Sequence, residues 1–489
     1  EAKEHAILQN LDTSFQKIDE LPFDFERRRM SVIVKDDSNV VSMVTKGALE
    51  EMLNISTHVE YRGEIIPLTE DIRQEVLAEV GQLNRQGLRV LGVGYKSGLR
   101  EDYAYAVTDE SDMILTGYLA FLDPPKPSAA PAIQALLEHG VKTKILTGDN
   151  EKVTQAICEK VGLDVEHILL GAEIDQMTDQ ELAEVVEKVT VFAKLSPDQK
   201  ARIILQLKRN GHGVGYMGDG INDAPSMKVA DVGISVDTAV DIAKETADVI
   251  LLDKDLMVLE TGIVEGRKVY ANMTKYIKMT VSSNFGNIFS LLVASIFLPF
   301  LPMAPVHLIV LNLVYDLSCV ALPFDNVDQD FLKQPHTWEA KSITRFMVWM
   351  GPISSVFDIL TFIFLYFIIV PLVTGHHYVH GSESALQFII LFQTGWFIES
   401  MWSQTMVIHM LRTAKVPFVQ SRPAWLVILT TLVAAIFVTS LPYGPLVNIL
   451  RLAPLGLPYF LFLTCIIFLY MFSVTVIKKF YIRKYKEWL

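Results

Sequence analysis

The sequence predicts an α/β soluble region followed by an all-α bundle of six transmembrane helices, and two observations support this fold class. Residues up to about Gly266 are mixed in character and acidic, whereas apolar runs of about 20 residues, the length of a membrane-crossing helix, follow from Tyr270 onward. Within the soluble region, short apolar runs alternate with amphipathic stretches from Leu119 onward. That alternation is typical of a parallel sheet with helices on both faces.

The apolar runs predict both the membrane spans and their orientation. They cover residues 279–300, 306–324, 346–373, 386–411, 425–443 and 457–477. Buried helices of a soluble protein are the alternative, but six such runs in succession favour membrane spans. Lys and Arg concentrate between the second and third runs, between the fourth and fifth, and after the sixth. The positive-inside rule therefore predicts that the soluble region, these basic segments and the C-terminus are cytosolic.

Charge and cysteine content argue against a nucleic-acid partner and against disulfides or a cysteine metal site. The formal net charge of −13 over 489 residues argues against nucleic acid as a partner. Cys158, Cys319 and Cys465 are far apart and form no CxxC motif, so the sequence indicates neither a disulfide framework nor a cysteine metal site.

Polar residues follow three predicted strands of the soluble region. The strands are VKTKILTG (141–148), VTVFAKL (189–195) and HGVGYMG (212–218), and a helix that Asp149 or Asn150 can cap follows the first. Loops at the carboxyl ends of parallel strands form the binding crevice of such a sheet. The residues at these ends are Thr147, Gly148 and Asp149 after the first strand, Lys200 after the second, and Asp219, Asn222 and Asp223 after the third.

This set of groups suits a phosphoryl group and a magnesium ion. It offers a hydroxyl with backbone N–H groups, one cation and two carboxylates, and Mg²⁺ prefers hard oxygen ligands. Asn222 can hydrogen-bond a phosphoryl oxygen or orient a carboxylate without adding charge. The tripeptide GDG alone would favour a tight turn, but the ordered set at successive strand ends favours a phosphoryl-transfer site.

The motifs TGDN, KLSPDQK and GDGINDAP resemble the phosphorylation domain of P-type ATPases, ion pumps with a haloacid-dehalogenase-like core. LDPPKP resembles the hinge into that domain, and GRKVYANMTKYIKM resembles the stalk helix that joins it to the membrane. The resemblance implies ATP and Mg²⁺ as cofactors. It also implies a nucleotide-binding domain (1–118), a phosphorylation domain (119–266), and a stalk with a six-helix transmembrane domain (267–489).

Upstream, FDFERRRMSVIV and TKGALEEML resemble the nucleotide-binding domain of the same family. The resemblance implies that Phe25 stacks on adenine and that Arg89 reaches the phosphates. It also implies that Lys46 and Gly47 line the nucleotide pocket, with Arg28 as a further candidate. The residue types alone are equally compatible with a packed Phe and a solvated Lys.

One family motif is not found in the sequence. P-type ATPases take up phosphate on the aspartate of a DKTGT motif, which these 489 residues do not contain. We therefore expect the C-terminal half of a pump, whose N-terminal portion supplies DKTGT, the actuator domain and the first four membrane helices. The alternative is a non-catalytic half-pump that binds nucleotide and assembles with another protein. Assembly into a homo-oligomer is left open.

Three stretches resemble the bacterial magnesium-importing P-type ATPases: SSNFGNIFSLLVASIFLPFLPMAPVHL, NLVYDLSCVALPFDNVD and MGPISSVFDILTF. The resemblance implies import of Mg²⁺ into the cytosol across the bacterial plasma (inner) membrane. A pump for calcium or another cation is the alternative, although calcium pumps place a Glu where Asn287 stands.

Polar groups near mid-bilayer are costly and mark ion paths, so they predict the transport site. These residues are Asn284, Asn287, Asn312, Asp316, Asp358 and Glu399. Two further clusters have no assigned role. A solvated loop is favoured over a metal site for His376, His377 and His380. An exit or sensing site and a capped loop are both open for Asp325, Asn326 and Asp328.

Overall fold

A computed structural model describes residues 14–24, 27–122, 124–253 and 255–488. The chain divides into two compact units. The first, called the soluble unit below, comprises Glu1–Leu137 with Lys142–Glu260. The second, called the helical unit, comprises Glu138–Val141 with Thr261–Leu489. The boundary between Glu260 and Thr261 lies close to residue 266, where the sequence predicts the end of the soluble domains.

Among the described residues, the first part of the soluble unit is a mixed sheet with two helices. Its elements are β1 (Phe15–Asp24), β2 (Arg29–Asp36), β3 (Val41–Ala48), α1 (Leu49–Ile55), β4 (Ser56–Tyr61), β5 (Glu64–Pro67), α2 (Glu70–Arg85), β6 (Leu88–Ser97) and β7 (Met113–Leu122). The strand order is β1-β2-β3-β6-β7-β4-β5, and only the β4–β7 pair is parallel. Alternate residues of β3, among them Val41, Met43 and Thr45, are buried because one face of the strand lies on the core.

The second part of the soluble unit contains two parallel sheets of three strands each. Its elements are α3 (Ala129–Glu138), β8 (Ile145–Leu146), α4 (Glu151–Lys160), β9 (Ile168–Leu170), α5 (Gly171–Gln176), α6 (Asp179–Lys188), β10 (Val191–Ala193), α7 (Pro197–Arg209), β11 (Gly215–Met217), α8 (Ala224–Val229), β12 (Val232–Val236), α9 (Asp241–Thr246) and β13 (Val249–Leu251). The strand orders are β8-β10-β9 and β11-β12-β13.

The sequence predicts a single parallel sheet here, and the described strands form two ladders instead. The reason is that β8 has only two residues and pairs only with β10 among the described strands. Leu146 and Val214 each pack against the hydrophobic clusters of both ladders, so the two sheets share their core. The alternation of short apolar runs with amphipathic stretches also did not predict β9.

The second unit is helical. Its elements are α10 (Met257–Phe297), α11 (Pro305–Cys319), α12 (Gln329–Leu332), α13 (Ala340–Phe364), α14 (Val370–Thr374), α15 (Ala385–Leu411), α16 (Trp425–Ser440), α17 (Val447–Leu450) and α18 (Leu457–Tyr485). Among the described residues, five segments are long and apolar enough to cross a membrane: Met257–Phe297, Pro305–Phe324, Ala340–Thr374, Trp425–Tyr443 and Leu457–Tyr485. They coincide with five of the six predicted spans.

The remaining predicted span corresponds to α15, which is long enough to cross a membrane but is not one of those five segments. Gln393, Glu399 and Gln404 lower its mean hydropathy, and nearly every residue from Phe388 to Leu411 is buried. A helix that neighbouring helices enclose presents little surface to lipid, so it tolerates polar side chains that an outer span does not.

Two glycines allow α10 and α13 to approach closely. A Cβ atom at Gly286 would collide with Ser354, and one at Gly351 would lie 2.6 Å from a ring carbon of Phe285. The Ser355 hydroxyl donates to the Gly286 carbonyl at 2.9 Å across this contact. Small residues at the crossing therefore bring the polar side chains of the two helices near each other.

Candidate functional site

The loop after β8 is held by hydrogen bonds on both sides. The Thr147 N–H donates to the Phe192 carbonyl at 3.0 Å, and the Thr147 hydroxyl donates to Asp149 Oδ2 at 3.0 Å. Arg89 of β6 donates to the same carboxylate oxygen at 2.8 Å. Asn150, rather than Asp149, caps α4, since its side chain accepts from two N–H groups of the first turn. The Asp149 carboxylate therefore does not cap the helix, and Thr147 and Arg89 hold it at the strand end.

Lys200 and Asp223 form the most enclosed part of the site. Lys200 lies in the first turn of α7, which begins with a capping box of Ser196 and Gln199. Its ammonium group donates to Asp223 Oδ1 at 2.9 Å, and the Tyr216 hydroxyl donates to the same oxygen at 2.6 Å. The other carboxylate oxygen accepts from the backbone N–H of Gly220 at 3.2 Å.

These contacts keep Asp223 ionised. Burial opposes its ionisation, but the hydrogen bonds from Tyr216 and Lys200 outweigh burial and lower the pKa of the carboxyl group. Burial, together with the hydrogen bond to Asp223, raises the pKa of Tyr216, so its hydroxyl stays a donor. The result is a fixed carboxylate paired with a buried cation.

Asp219 differs from Asp223 in its surroundings. Its side chain is exposed, and among the described residues its carboxylate makes no hydrogen bond or ion pair. Its carbonyl accepts from Val240 N–H at 3.2 Å, which fixes the backbone of the loop. Gly218 lies against Asp223, and a Cβ atom there would come within 2.6 Å of the Asp223 carboxyl carbon. Asn222 is half-buried in the same turn.

Backbone contacts join the strand-end loops to one another. Asp149 O accepts from Lys194 N–H at 2.8 Å, which ties the loop after β8 to the segment before α7. Through Lys200 of α7 this segment reaches Asp223 in the loop after β11. The predicted residues Thr147, Asp149, Lys200 and Asp223 therefore belong to one connected edge. An exposed free carboxylate beside a fixed one is a donor set that fits Mg²⁺, which takes few protein carboxylates.

The predicted nucleotide residues are only partly brought to this edge. Phe25 lies outside the described residues. Lys46 is exposed on β3, whereas Gly47 is buried where a Cβ atom would lie 2.7 Å from the Arg28 carbonyl. Arg28 has a left-handed backbone with φ 51°. Arg89 is the one that contacts the predicted phosphoryl site, through Asp149.

Sequence reasoning missed a buried carboxylate in the mixed sheet. Glu110 accepts hydrogen bonds from Arg27 at 2.7 Å and 2.8 Å, from Arg29 at 2.7 Å and from Ser31 at 2.6 Å. Burial opposes its ionisation, but the donors outweigh it and lower the pKa of Glu110. This cluster ties Arg27 and the beginning of β2 to Glu110.

In the helical unit, Asn287 and Asp358 line one small cavity. Its volume is about 20 Å³, and Ser282, Ser354 and Gln404 also line it. Such a volume holds about one water molecule. Asp358 is buried and accepts from the Ser290 hydroxyl at 2.6 Å and from the Trp396 indole N–H at 2.9 Å. The Trp396 side chain therefore helps to position a predicted site residue.

Of the other predicted ion residues, Glu399 lies next to Asp358, whereas Asn284, Asn312 and Asp316 do not line this cavity. Glu399 is buried, and its Oε2 has no hydrogen-bond partner among the described residues. Asn312 and Asp316 share one face of α11, as their i, i+4 spacing predicts, but that face is exposed. Asn284 is also exposed.

Asp325 forms a buried ion-pair cluster at the end of α11. Lys275 donates to its carboxylate at 2.9 Å and Arg412 donates at 2.7 Å. Burial opposes ionisation of Asp325, and the two cations outweigh it and lower its pKa. Asp328 accepts from the Thr413 hydroxyl at 2.5 Å. These contacts join two connecting loops to α10. The side chains of His376, His377 and His380 are exposed.

Two family models match the chain. The model "P-type ATPase, cytoplasmic domain N" matches residues 2–128, and "Cation transporting ATPase, C-terminus" matches residues 300–480.

Known proteins align with nearly the whole chain. It is 50% identical over 485 residues to "Magnesium-transporting ATPase, P-type 1" of Salmonella typhimurium, covering 99% of this chain and 52% of that protein. The protein of the same name from Escherichia coli K12 is 49% identical over 99% of this chain and 53% of its own length. The "Calcium-transporting ATPase" of Bacillus subtilis is 33% identical over 73% of this chain and 41% of its own length. The chain thus spans about half the length of the curated magnesium-transporting relatives that it matches. The chain belongs to the P-type ATPase family.

Proposed function

We propose that this chain is part of an ATP-driven pump that moves Mg²⁺ into the cytosol. One observation carries the proposal: 99% of the chain aligns at 50% identity with a protein named as magnesium-transporting. A calcium pump is the second candidate, supported by the weaker match to calcium-transporting relatives at 33% identity.

In this proposal the soluble unit binds ATP and positions its phosphoryl group. Residues 1–118 form the nucleotide domain, where Phe25, Arg28, Lys46, Gly47 and Arg89 contact the nucleotide. Residues 119–266 form the phosphorylation domain. There Lys200 provides a fixed positive charge, and Thr147 and Gly148 offer a hydroxyl and a backbone N–H to phosphoryl oxygens. Asp219 and Asp223 would hold the catalytic Mg²⁺, which neutralises phosphate charge when bound. The exposed, unpaired state of the Asp219 carboxylate supports this role.

The transported Mg²⁺ is the cargo of the helical unit, residues 267–489. We assign its path to Asn284, Asn287, Asn312, Asp316, Asp358 and Glu399. The cavity lined by Asn287 and Asp358 offers two amides, those of Asn287 and Gln404, and one carboxylate together with hydroxyl groups. Few charged ligands and neutral amide oxygens suit an ion that dehydrates reluctantly. Calcium favours six to eight direct oxygen ligands.

The proposed topology has six crossings, with α15 as the enclosed one, in a bacterial inner membrane. The basic connections support a cytosolic location for the soluble domains and the C-terminus. The proposed partner is an N-terminal portion with the DKTGT aspartate, the actuator domain and four helices. The share of the relatives that this chain covers, 52%, supports such a partner.

Co-expression tests the proposal. The chain is expressed with an N-terminal segment of a magnesium-transporting relative in a bacterium that lacks magnesium transport. With the segment present, we expect growth on limiting Mg²⁺ and an acid-stable phosphoenzyme after incubation with ATP. Without the segment, we expect neither growth nor phosphoenzyme. Stimulation of ATP hydrolysis by Ca²⁺ rather than Mg²⁺ would move the assignment to calcium. ATP binding without phosphorylation in the combined protein would support the non-catalytic half-pump.

A further inference from the structure

An open groove lies between the beginning of α13 and the end of α18. Its volume is about 530 Å³, and it is lined mainly by Lys341, Arg345, Val348, Trp349 and Tyr485. The Trp349 indole N–H donates to the Tyr485 hydroxyl at 3.2 Å, which fixes the two rings relative to each other. Both helices are candidate membrane spans, so the groove lies where a span meets water.

Two basic side chains, Lys484 and Arg345, lie over these rings, and a third, Lys341, lines the groove. The Lys484 ammonium lies 5.1 Å from the Trp349 ring centre and 5.3 Å from that of Tyr485. The Arg345 guanidinium lies 5.5 Å from the Tyr485 ring centre and also has two long ion pairs, to Glu339 at 3.5 Å and Glu487 at 3.6 Å. Lys341 and Lys484 have no carboxylate partner among the described residues. Lys341 in the groove lining and Lys484 over the two rings are therefore two uncompensated cations at this site.

An apolar surface continues from the groove toward the middle of α13. Val348, Val356 and Ile363 are all exposed and fall on one face of the helix by its periodicity. A ligand that matches both parts needs an anionic head for the lysines and a long apolar tail for this face. Basic pockets between helices at the cytosolic surface bind phospholipid head groups in this way.

We propose that the groove binds the phosphate head group of an anionic phospholipid, whose acyl chain lies along Val348, Val356 and Ile363. The site is independent of which cation the protein transports. Lys341 and Lys484 attract the phosphate, and the rings of Trp349 and Tyr485 pack against the glycerol region. Arg345 contributes less because Glu339 and Glu487 partly neutralise it.

Photo-crosslinking tests the site on the intact 489-residue chain in nanodiscs. The discs contain phosphatidylcholine with a small fraction of photoactivatable phosphatidylglycerol, and labelled peptides are mapped by mass spectrometry. We expect labelling to concentrate on peptides with residues 341–356 and 480–488. Each basic group near an anionic lipid strengthens binding by about fivefold, so K341Q/K484Q should weaken labelling there by about 25-fold. The matched control K479Q/R483Q removes two exposed cations of α18 that neither line the groove nor lie over the Trp349 and Tyr485 rings, and it should change little.

Equal labelling of the two double variants, or labelling spread evenly around the helices, would refute the site. A parallel experiment with millimolar inorganic phosphate distinguishes a lipid head group from free phosphate as the ligand. If free phosphate abolishes labelling of the groove peptides, the groove is a phosphate site rather than a lipid site. Unchanged circular dichroism and gel-filtration behaviour of both double variants establishes that they are folded.

Discussion

Arg89 of the mixed sheet donates to Asp149 in the loop after β8, with 2.8 Å between Nη2 and Oδ2. The two residues were predicted for different tasks, Arg89 for the nucleotide phosphates and Asp149 for the phosphoryl-transfer site. Their ion pair joins the proposed nucleotide region to the proposed phosphorylation region. A phosphate group that enters this edge must therefore share Arg89 with Asp149 or take its place.

Replacement of Arg89 tests this shared contact. Arg89→Lys keeps the charge but loses the planar fork, so one of the two partners loses its hydrogen bond. We expect ATP to bind about tenfold more weakly, the effect of one charge-assisted hydrogen bond. The affinity for ATP is measured by displacement of a fluorescent ATP analogue from the 489-residue chain. Arg100→Lys, an exposed arginine in the same unit, is the matched control and should bind ATP normally. Equal affinities for all three proteins would remove Arg89 from the site.

Asp219 and Asp223 should behave differently when each is changed to Asn. Asp219 is exposed and unpaired among the described residues, so Asp219→Asn should leave folding unchanged and abolish phosphorylation by ATP in the combined pump. Acid-stable incorporation of labelled phosphate measures this. Asp237→Asn, another exposed carboxylate of the same domain, should retain phosphorylation. Normal phosphoenzyme in the Asp219 variant would contradict the magnesium role.

Asp223→Asn should instead destabilise the fold in a pH-dependent way. The change leaves Lys200 without its partner, for an expected loss of about 2 kcal/mol at neutral pH. Because the folded state lowers the pKa of Asp223, its stabilisation is complete above the unfolded value of about 4. It is lost as pH falls through the folded value.

Urea-dependent proteolysis of residues 129–251 within the intact chain measures this difference. The wild type and the variant should differ most near pH 7 and converge as the pH falls below the lowered folded pKa of Asp223. A difference that is constant across this range would mean that the Asp223 charge does not stabilise the fold.

The sequence predicted the strand ends of the site because each follows a short buried apolar run. Strands β8, β10 and β11 all lie within predicted runs, and their loops carry the predicted polar residues. The Glu110 cluster could not be predicted, since its arginine partners lie about 80 residues away along the chain and no local pattern marks them. The i, i+4 spacing of Asn312 and Asp316 predicted that both residues lie on one face of α11. It could not show that this face would be exposed, because periodicity does not identify the neighbouring helix.

Asn287 tests the transport cavity. Asn287→Ala removes an amide oxygen beside Asp358 without changing charge. We expect the Mg²⁺ concentration for half-maximal uptake to rise by about tenfold, with little change in maximal rate, since one polar contact to the ion is lost. Ile288→Ala, on the exposed side of the same helix, is the control. Equal Mg²⁺ dependence in both variants would place the cargo elsewhere.

Asp316 gives the strongest test of the proposed ion path. Its carboxylate is exposed on α11, near the middle of a candidate span, where lipid would make a lone charge costly. A carboxylate persists at such a depth when it faces an ion, a proton or a polar partner. Because few protein contacts depend on it, Asp316→Ala should fold normally and yet stop Mg²⁺-dependent growth of the co-expressing strain. Thr464→Ala removes an exposed polar group from another span, and it should support growth at an equal expression level. Full growth with Asp316→Ala would exclude this residue from the path and leave the Asn287–Asp358 cavity as the remaining candidate.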